Sequence, residues 1–345
     1  MISHAAIISE EDAGRIFNNM SDGVMIVDRN MRVVYYNQAC RKLFFKKDDI
    51  RNADFREAFL SDPDNKEFNE FFNSAVEHHL NTKKTVSFHL PNREKIHVIA
   101  EISMKEDNDN DSYDFDGMLI MFEDVTEHYR LKTMVHDSSN IFFVLVSFIA
   151  VYLSIWCLTK FTLKAPLTNR HYTLMIEGIT FLLFLEVLFA TSFKFGDIGL
   201  IVNRFRWKRN VIETVTFGAV ACALLLILRV LQIKLGLPGK SYFIGGSWKG
   251  CIKYLITCAF QEFLARGVIQ TSVKYILQIP RQRGISIIIT SFLFMMMHIP
   301  FGFPFMLGAF ALSLVLGLLY ENQQDLYGCV LLHWGVGYLG MCLFF

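Results

Sequence analysis

The stretch EHYRLKTMVHDSSNIFFVLVSFIAVYLSIWC, residues 127–157, changes character in its middle and divides the chain there. Its first half mixes charged and polar side chains. From 141 to 159 there is no charged residue, and nineteen such positions approach the roughly 20 that an α-helix needs to cross hydrocarbon. The net charge of +1 over 345 residues hides this division. Residues 1–140 hold 26 acidic and 17 basic side chains, and residues 141–345 hold 7 and 17. An acidic soluble module therefore precedes a basic, apolar one. The mean hydropathy of +0.32, with 33 Phe, excludes a wholly cytosolic protein. The seven Cys are scattered with no CxxC pair, and read as small apolar residues with reduced thiols. The first thirty residues lack a basic segment followed by an apolar core, so insertion is expected to use an internal segment.

Upstream of the division, GVMIVDRN, RVVYYN, TVSFHL, KIHVIAEISM and GMLIMFEDV read as strands around a helical centre, QACRKLFFKKDDI and FNEFFNSAVEHHLN. The last three strand runs predict an antiparallel meander. EDNDNDSYDFD, 106–116, predicts a solvated hairpin tip, since it lacks the glycine and closing Glu of a calcium loop.

Downstream, apolar runs at 141–159, 172–193, 211–233, 250–277, 285–298, 305–320 and 326–345 predict an all-α bundle of about seven spans. The loop 194–210 carries Lys194, Arg204, Arg206, Lys208 and Arg209, and Arg281 and Arg283 lie in the loop after the fourth run. The positive-inside rule places both loops and the N-terminal module in the cytoplasm, with Lys160, Lys164 and Arg170 opposing. GLPGKS, 236–241, lacks the first glycine of a phosphate loop, where Lys234 stands, and is no nucleotide site.

Ionisable groups inside these runs cost free energy and are functional candidates by default: Glu177, Glu186, Arg229, Lys253, Glu262, Arg266, His298 and His333. Glu186 and Arg229, on adjacent spans, are expected to pair, and Glu177 is expected near a membrane edge. Glu262 and Arg266 are i,i+4 partners on one helical face. One acid and two histidines on three helices, Glu262, His298 and His333, could converge on a water or a divalent metal.

MSDGVMIVDRNMRVVYYNQACRKLF, 20–44, and GMLIMFEDVTEHYR, 117–130, resemble the two ends of a PAS domain, with Asp124-Val125-Thr126 at its exit. The resemblance covers about 12–128 and implies an α+β sensor or dimerisation module, hence a homodimer. Its ligand is unknown: no photoactive flavin Cys motif is present, and His78 and His79 read as surface residues rather than haem ligands. His136-Asp137-Ser138-Ser139-Asn140 resembles a histidine-kinase phosphoacceptor box, but no ATP-binding domain follows, so 129–140 reads as a juxtamembrane linker helix.

The polar motifs resemble the CPBP family of intramembrane endopeptidases, which includes the CAAX-prenyl proteases and bacteriocin-processing proteins. The family's EExxxR, FxxxH and HxxxN stand here as Gln261-Glu262-x-x-x-Arg266-Gly267, Phe294-x-x-x-His298 and His333-x-x-x-Gly337, within about 175–345. The resemblance implies hydrolysis of membrane-associated or prenyl-type peptide substrates, with Glu262, His298 and His333 as catalytic or metal-holding groups, zinc or another divalent ion as cofactor, and Arg266 pairing Glu262. Gln261 stands where the family has its first acid, a base lost, and Gly337 where it has a polar Asn. Three readings stay open: an endopeptidase using Glu262, a degenerate member acting as a PAS-coupled receptor or scaffold, and polar residues that only hold helices together. Membrane lipid is the surrounding partner, and nucleic acid is not expected to be one.

Overall fold

A computed structural model describes residues 10–45, 49–78, 80–90, 95–104, 117–165, 167–202, 205–237 and 248–344. The acidic loop 106–116, His79, Arg204 and residues 238–241 of GLPGKS lie outside the described residues. The chain forms two compact units that divide at Leu131.

The first unit begins with α1 (Glu10–Asn19), β1 (Gly23–Asp28), β2 (Val33–Tyr36) and the short α2 (Gln38–Cys40). A π-helical turn (Arg41–Phe45), α3 (Lys66–Glu77), β3 (Thr82–His89), β4 (Lys95–Met104) and β5 (Gly117–Asp124) follow. The five strands form one antiparallel sheet in the order β2-β1-β5-β4-β3. The meander β3-β4-β5 runs as the sequence pattern indicates, with Met104 opposite Met118 beside the acidic loop. The pairing of β1 with β5, Met25 opposite Ile120, joins the two ends of the unit. Alternation along β4 and β5 turns Ile96, Val98, Ala100, Ile102, Ile120 and Phe122 inward.

Phenylalanine fills the interior. Phe59 is buried and packs edge-on against Phe44 at 5.2 Å and stacked against Phe55 at 4.9 Å. The Asn37 side chain fixes the entry to α2, accepting from the N–H groups of Cys40 and Val24 while donating to the Phe17 and Asp22 carbonyls. Burial pushes the Cys40 thiol up to about 12, so it behaves as a packed apolar group. Cys258, Cys329 and Cys342 are also buried, whereas Cys157 is exposed. Expressed alone, residues 12–128 are expected to show mixed α/β circular dichroism and a cooperative melt. Phe59→Ala in that fragment should lower its stability by about 3–5 kcal/mol. A non-cooperative wild-type melt would contradict the unit's independence.

The second unit is helical: α4 (Thr126–Cys157, which begins at the end of the first unit), α5 (Asn169–Ala190), α6 (Trp207–Lys234) and α7 (Trp248–Glu262). A π-helical stretch (Phe263–Gln270) continues α7 into α8 (Thr271–Leu277), followed by α9 (Gln282–Met297) and α10 (Phe303–Gln323). Then come α11 (Tyr327–Leu332), a π turn (His333–Gly337) and α12 (Tyr338–Phe344). Outward-facing apolar side chains such as Phe143, Phe189 and Ile212 suit a hydrocarbon surround.

Among the described residues five helices are long and apolar enough to cross a membrane, short of the seven runs expected: Thr126–Thr162, Asn169–Ala190, Trp207–Lys234, Phe303–Gln323 and Tyr327–Phe344. The two that fall short do so for different reasons. α9 has 16 residues and measures about 24 Å at 1.5 Å per residue, less than the hydrocarbon thickness. The α7–α8 rod is long enough but carries Lys253, Gln261, Glu262, Arg266, Gln270 and Lys274, which lower its hydropathy.

The expected Glu186–Arg229 pair does not form. Glu186 is half-buried on α5, and Arg229 Nη1 instead donates to Gln232 Oε1 at 2.8 Å along its own helix. Glu177 Oε1 accepts from Thr257 Oγ1 of α7 at 2.8 Å. His78 and His136 are exposed.

Candidate active site

Every fourth residue along the α7–α8 rod is polar: Tyr254, Cys258, Glu262, Arg266, Gln270 and Lys274. In an α-helix of 3.6 residues per turn a four-residue step overshoots a full turn by about 40°, so such a stripe would wind away from any one neighbour. The π-helical stretch Phe263–Gln270 holds more residues per turn and turns the stripe back. Glu262, Arg266 and Gln270 consequently all face α10 or α11, and all are buried.

Arg266 is the hub. Its Nε donates to Glu262 Oε2 at 3.1 Å and its Nη1 to Gln270 Oε1 at 2.9 Å. Its Nη2 donates to the Ser313 carbonyl at 2.9 Å and to Ser313 Oγ at 2.6 Å. Gln270 Nε2 in turn donates to the Gly317 carbonyl and to Glu321 Oε1, and Glu321 Oε2 takes Lys274 Nζ at 3.0 Å. An i,i+4 ridge on one helix thus meets the ridge Ser313, Gly317, Glu321 on α10. A planar guanidinium fork is the group that satisfies this many acceptors at once. Gly267, next in the motif, is small for a separate reason: a Cβ there would lie 2.9 Å from the Ile198 carbonyl. That contact seats the loop after α5, whose Gly199 carbonyl accepts from Leu326 N–H at 3.0 Å, beside the entrance to α11.

The second carboxylate oxygen of Glu262 faces His333, with Oε1 2.7 Å from Nδ1. An ionised carboxylate only accepts, so Nδ1 carries a hydrogen, and in the neutral ring Nε2 then holds the lone pair. His333 sits at the junction of α11 and the π turn, which Trp334 holds to α7 by donating from Nε1 to the Cys251 carbonyl at 2.9 Å. His298 ends α9. Its Nδ1 lies 2.7 Å from the Phe294 carbonyl, which fixes the same tautomer, and its ring stacks on Phe305. Phe294 touches both imidazoles, with centroid separations of 4.5 Å to His298 and 5.9 Å to His333. The FxxxH spacing therefore supplies a carbonyl for one histidine and an aromatic wall for both.

Glu262 and His333 meet directly, while His298 reaches them only through Phe294; no hydrogen bond joins it to either among the described residues. Gln261 is buried and makes no hydrogen bond to another described residue. Both Glu262 oxygens are engaged, one by a guanidinium and one by an imidazole, so its carboxylate orients His333 and is not placed as a ligand. Among the described residues no group of three His, Cys, Asp or Glu could hold a metal ion. Two imidazoles alone fall short of the three protein ligands usual for a catalytic zinc. The described residues do not fit a metal centre.

Tyr254, Gln270, Ser313 and Glu321 escape a motif-based reading. Only the four-residue polar period, running through an otherwise apolar helix, signals the first two.

This combination, an antiparallel sensor-type sheet followed by a helical membrane unit with a buried Glu–His–Arg cluster, is that of a PAS-coupled, CAAX-protease-like membrane protein. A PAS-domain family model matches residues 21–127, and the family described as type II CAAX prenyl endopeptidase Rce1-like matches residues 244–339. The chain thus carries a PAS domain and a domain of that protease family. No curated protein matches it. Among solved structures, the PAS domain of a protein from Colwellia psychrerythraea is 14% identical, with 34% of this chain and 97% of that one covered and a TM-score of 0.28. The PAS domain of an HTR-like protein from Haloarcula marismortui is 13% identical, covering 33% and 89%, with a TM-score of 0.26. That of nitrogen regulation protein NR(II) from Vibrio parahaemolyticus is 15% identical, covering 32% and 96%, with a TM-score of 0.25.

Proposed function

We propose that the membrane unit is an intramembrane endopeptidase acting on membrane-associated or prenylated peptides, with the Glu262–His333 dyad as its base. The observation that carries this reading is the 2.7 Å contact between Glu262 Oε1 and His333 Nδ1 in a buried site. A carboxylate that fixes an imidazole's tautomer leaves Nε2 as a proton acceptor for water and stabilises the imidazolium that forms. Arg266 holds Glu262 in place. His298 offers a second acceptor nitrogen on the far side of Phe294. Gln261, which cannot take a proton, is no part of the base.

Gln261 and Gly337 favour one other reading, a degenerate member that serves the PAS domain as receptor or scaffold. Cleavage of a prenylated peptide in detergent separates the two. If Glu262 already serves, Gln261→Glu should leave the rate within a fewfold of wild type. A silent wild type made active by Gln261→Glu would establish the degenerate reading.

The PAS domain is proposed to lie in the cytoplasm, on the side of Lys194, Arg206, Lys208, Arg209, Arg281 and Arg283, to form a homodimer, and to regulate the site through α4. Thr126 at the head of α4 is bonded to β4, its Oγ1 accepting from His97 N–H at 3.0 Å. The helix then runs without interruption to Tyr152, whose hydroxyl donates to the Met297 carbonyl at 3.0 Å, one residue before His298. No flexible Gly/Ser stretch intervenes to absorb a displacement. Inserting four Gly/Ser residues after Thr133 should abolish PAS-dependent changes in cleavage while both units still melt cooperatively. Unchanged regulation would leave the PAS domain as a dimerisation or localisation module.

A further inference from the structure

Position 337 follows His333 by four residues, and its glycine leaves a space that another helix fills. A Cβ on Gly337 would lie 2.5 Å from the Tyr254 hydroxyl and 3.1 Å from His333 Cδ2. The phenol of Tyr254, reaching across from α7, thus occupies the place a side chain at 337 would take, at the edge of the imidazole. Its ring meets His333 edge-on, with centroids 5.8 Å apart. The Cys258 thiol stands one helical turn further along α7. Sulfur is a weak acceptor, so the hydroxyl is able to give its hydrogen to a stronger acceptor arriving in the site.

We infer that Tyr254 is a catalytic residue of the proposed peptidase, donating a hydrogen bond to the oxyanion formed from the scissile carbonyl. This inference rests on the hydrolytic reading above. Water oxygen attacks the carbonyl carbon, one water proton passes to His333 Nε2, and the carbonyl π pair moves onto oxygen, where the Tyr254 O–H meets it. When that pair returns, the C–N bond breaks, and the proton held on His333 goes to the leaving amine. A donor aimed at charge that develops only in the transition state lowers the barrier without tightening substrate binding. Gly337 is then the residue that admits the donor.

The test uses full-length protein, a prenylated peptide, and the same peptide with a phosphonamidate in place of the scissile amide. Tyr254→Phe should lower kcat about a hundredfold with KM unchanged. It should weaken phosphonamidate binding by a similar factor, and leave the melt of the protein in place. Gly337→Ala should reproduce both losses by pushing the hydroxyl aside, and should add nothing in the Tyr254→Phe background. Tyr254→Phe or Gly337→Ala within twofold of wild type in kcat and in phosphonamidate affinity overturns the inference. If wild type cleaves nothing yet prefers the phosphonamidate in a Tyr254-dependent way, the hydrolytic reading falls and the donor stands. If wild type neither cleaves nor prefers it, both fall.

Discussion

Arg266→Met is expected to destabilise the membrane unit by about 3–5 kcal/mol, the range for breaking a buried ion pair by removing one partner. Its side chain and that of Glu262 are fully buried, so no water can replace the lost bonds. The substitution strips one oxygen of Glu262, the Gln270 amide oxygen and both Ser313 acceptors of their donor in a single step. Arg266→Lys should restore little, because a point charge cannot span acceptors on two helices as a planar fork does. The double variant Glu262→Gln/Arg266→Met should be more stable than Arg266→Met alone, since it leaves no uncompensated charge. Thermal melts in detergent, followed by tryptophan fluorescence, provide the comparison. Arg266→Met melting like wild type would show that the cluster does not hold α10 to the α7–α8 rod.

How much of this was legible beforehand varies with the physics of each element. The charge boundary near residue 140 and the period-2 strands are local signals; the strands located the sheet, and the two compact units divide at Leu131, nine residues before that charge boundary. Pairing of β1 with β5 is not local, and only the resemblance of both ends to one family implied it. Glu262 with Arg266 is an i,i+4 pair that any helix brings together. Its further contact with His333, 71 residues on, depends on how α7 and α11 cross. The expected Glu186–Arg229 pair shows the limit of pairing by proximity of spans, for nothing in the sequence says which way each helix is rotated. The α7–α8 rod meets the length of a span but not its hydropathy, for an instructive reason. The polar stripe that builds the candidate site is also what removes it from a hydropathy criterion. The π-helical stretch that keeps the stripe on one face has no propensity signal.

The second large effect expected is at Glu262 itself. Glu262→Gln keeps the shape and one acceptor oxygen but removes the charge that stabilises the His333 imidazolium. General-base assistance of this kind contributes about 10²–10⁴-fold to rate. His333→Gln should lose as much, and the double variant little more than either alone, because the two act as one unit. Melts of all three separate this loss from unfolding.

The most direct measurement is therefore kcat for one prenylated peptide, cleaved in detergent by wild type, Gln261→Glu and Glu262→Gln side by side. The account predicts a wild-type rate that Glu262→Gln lowers at least about a hundredfold and that Gln261→Glu leaves within a fewfold. A wild type that does not cleave until Gln261→Glu supplies a carboxylate, or a Glu262→Gln variant as fast as wild type, would contradict it.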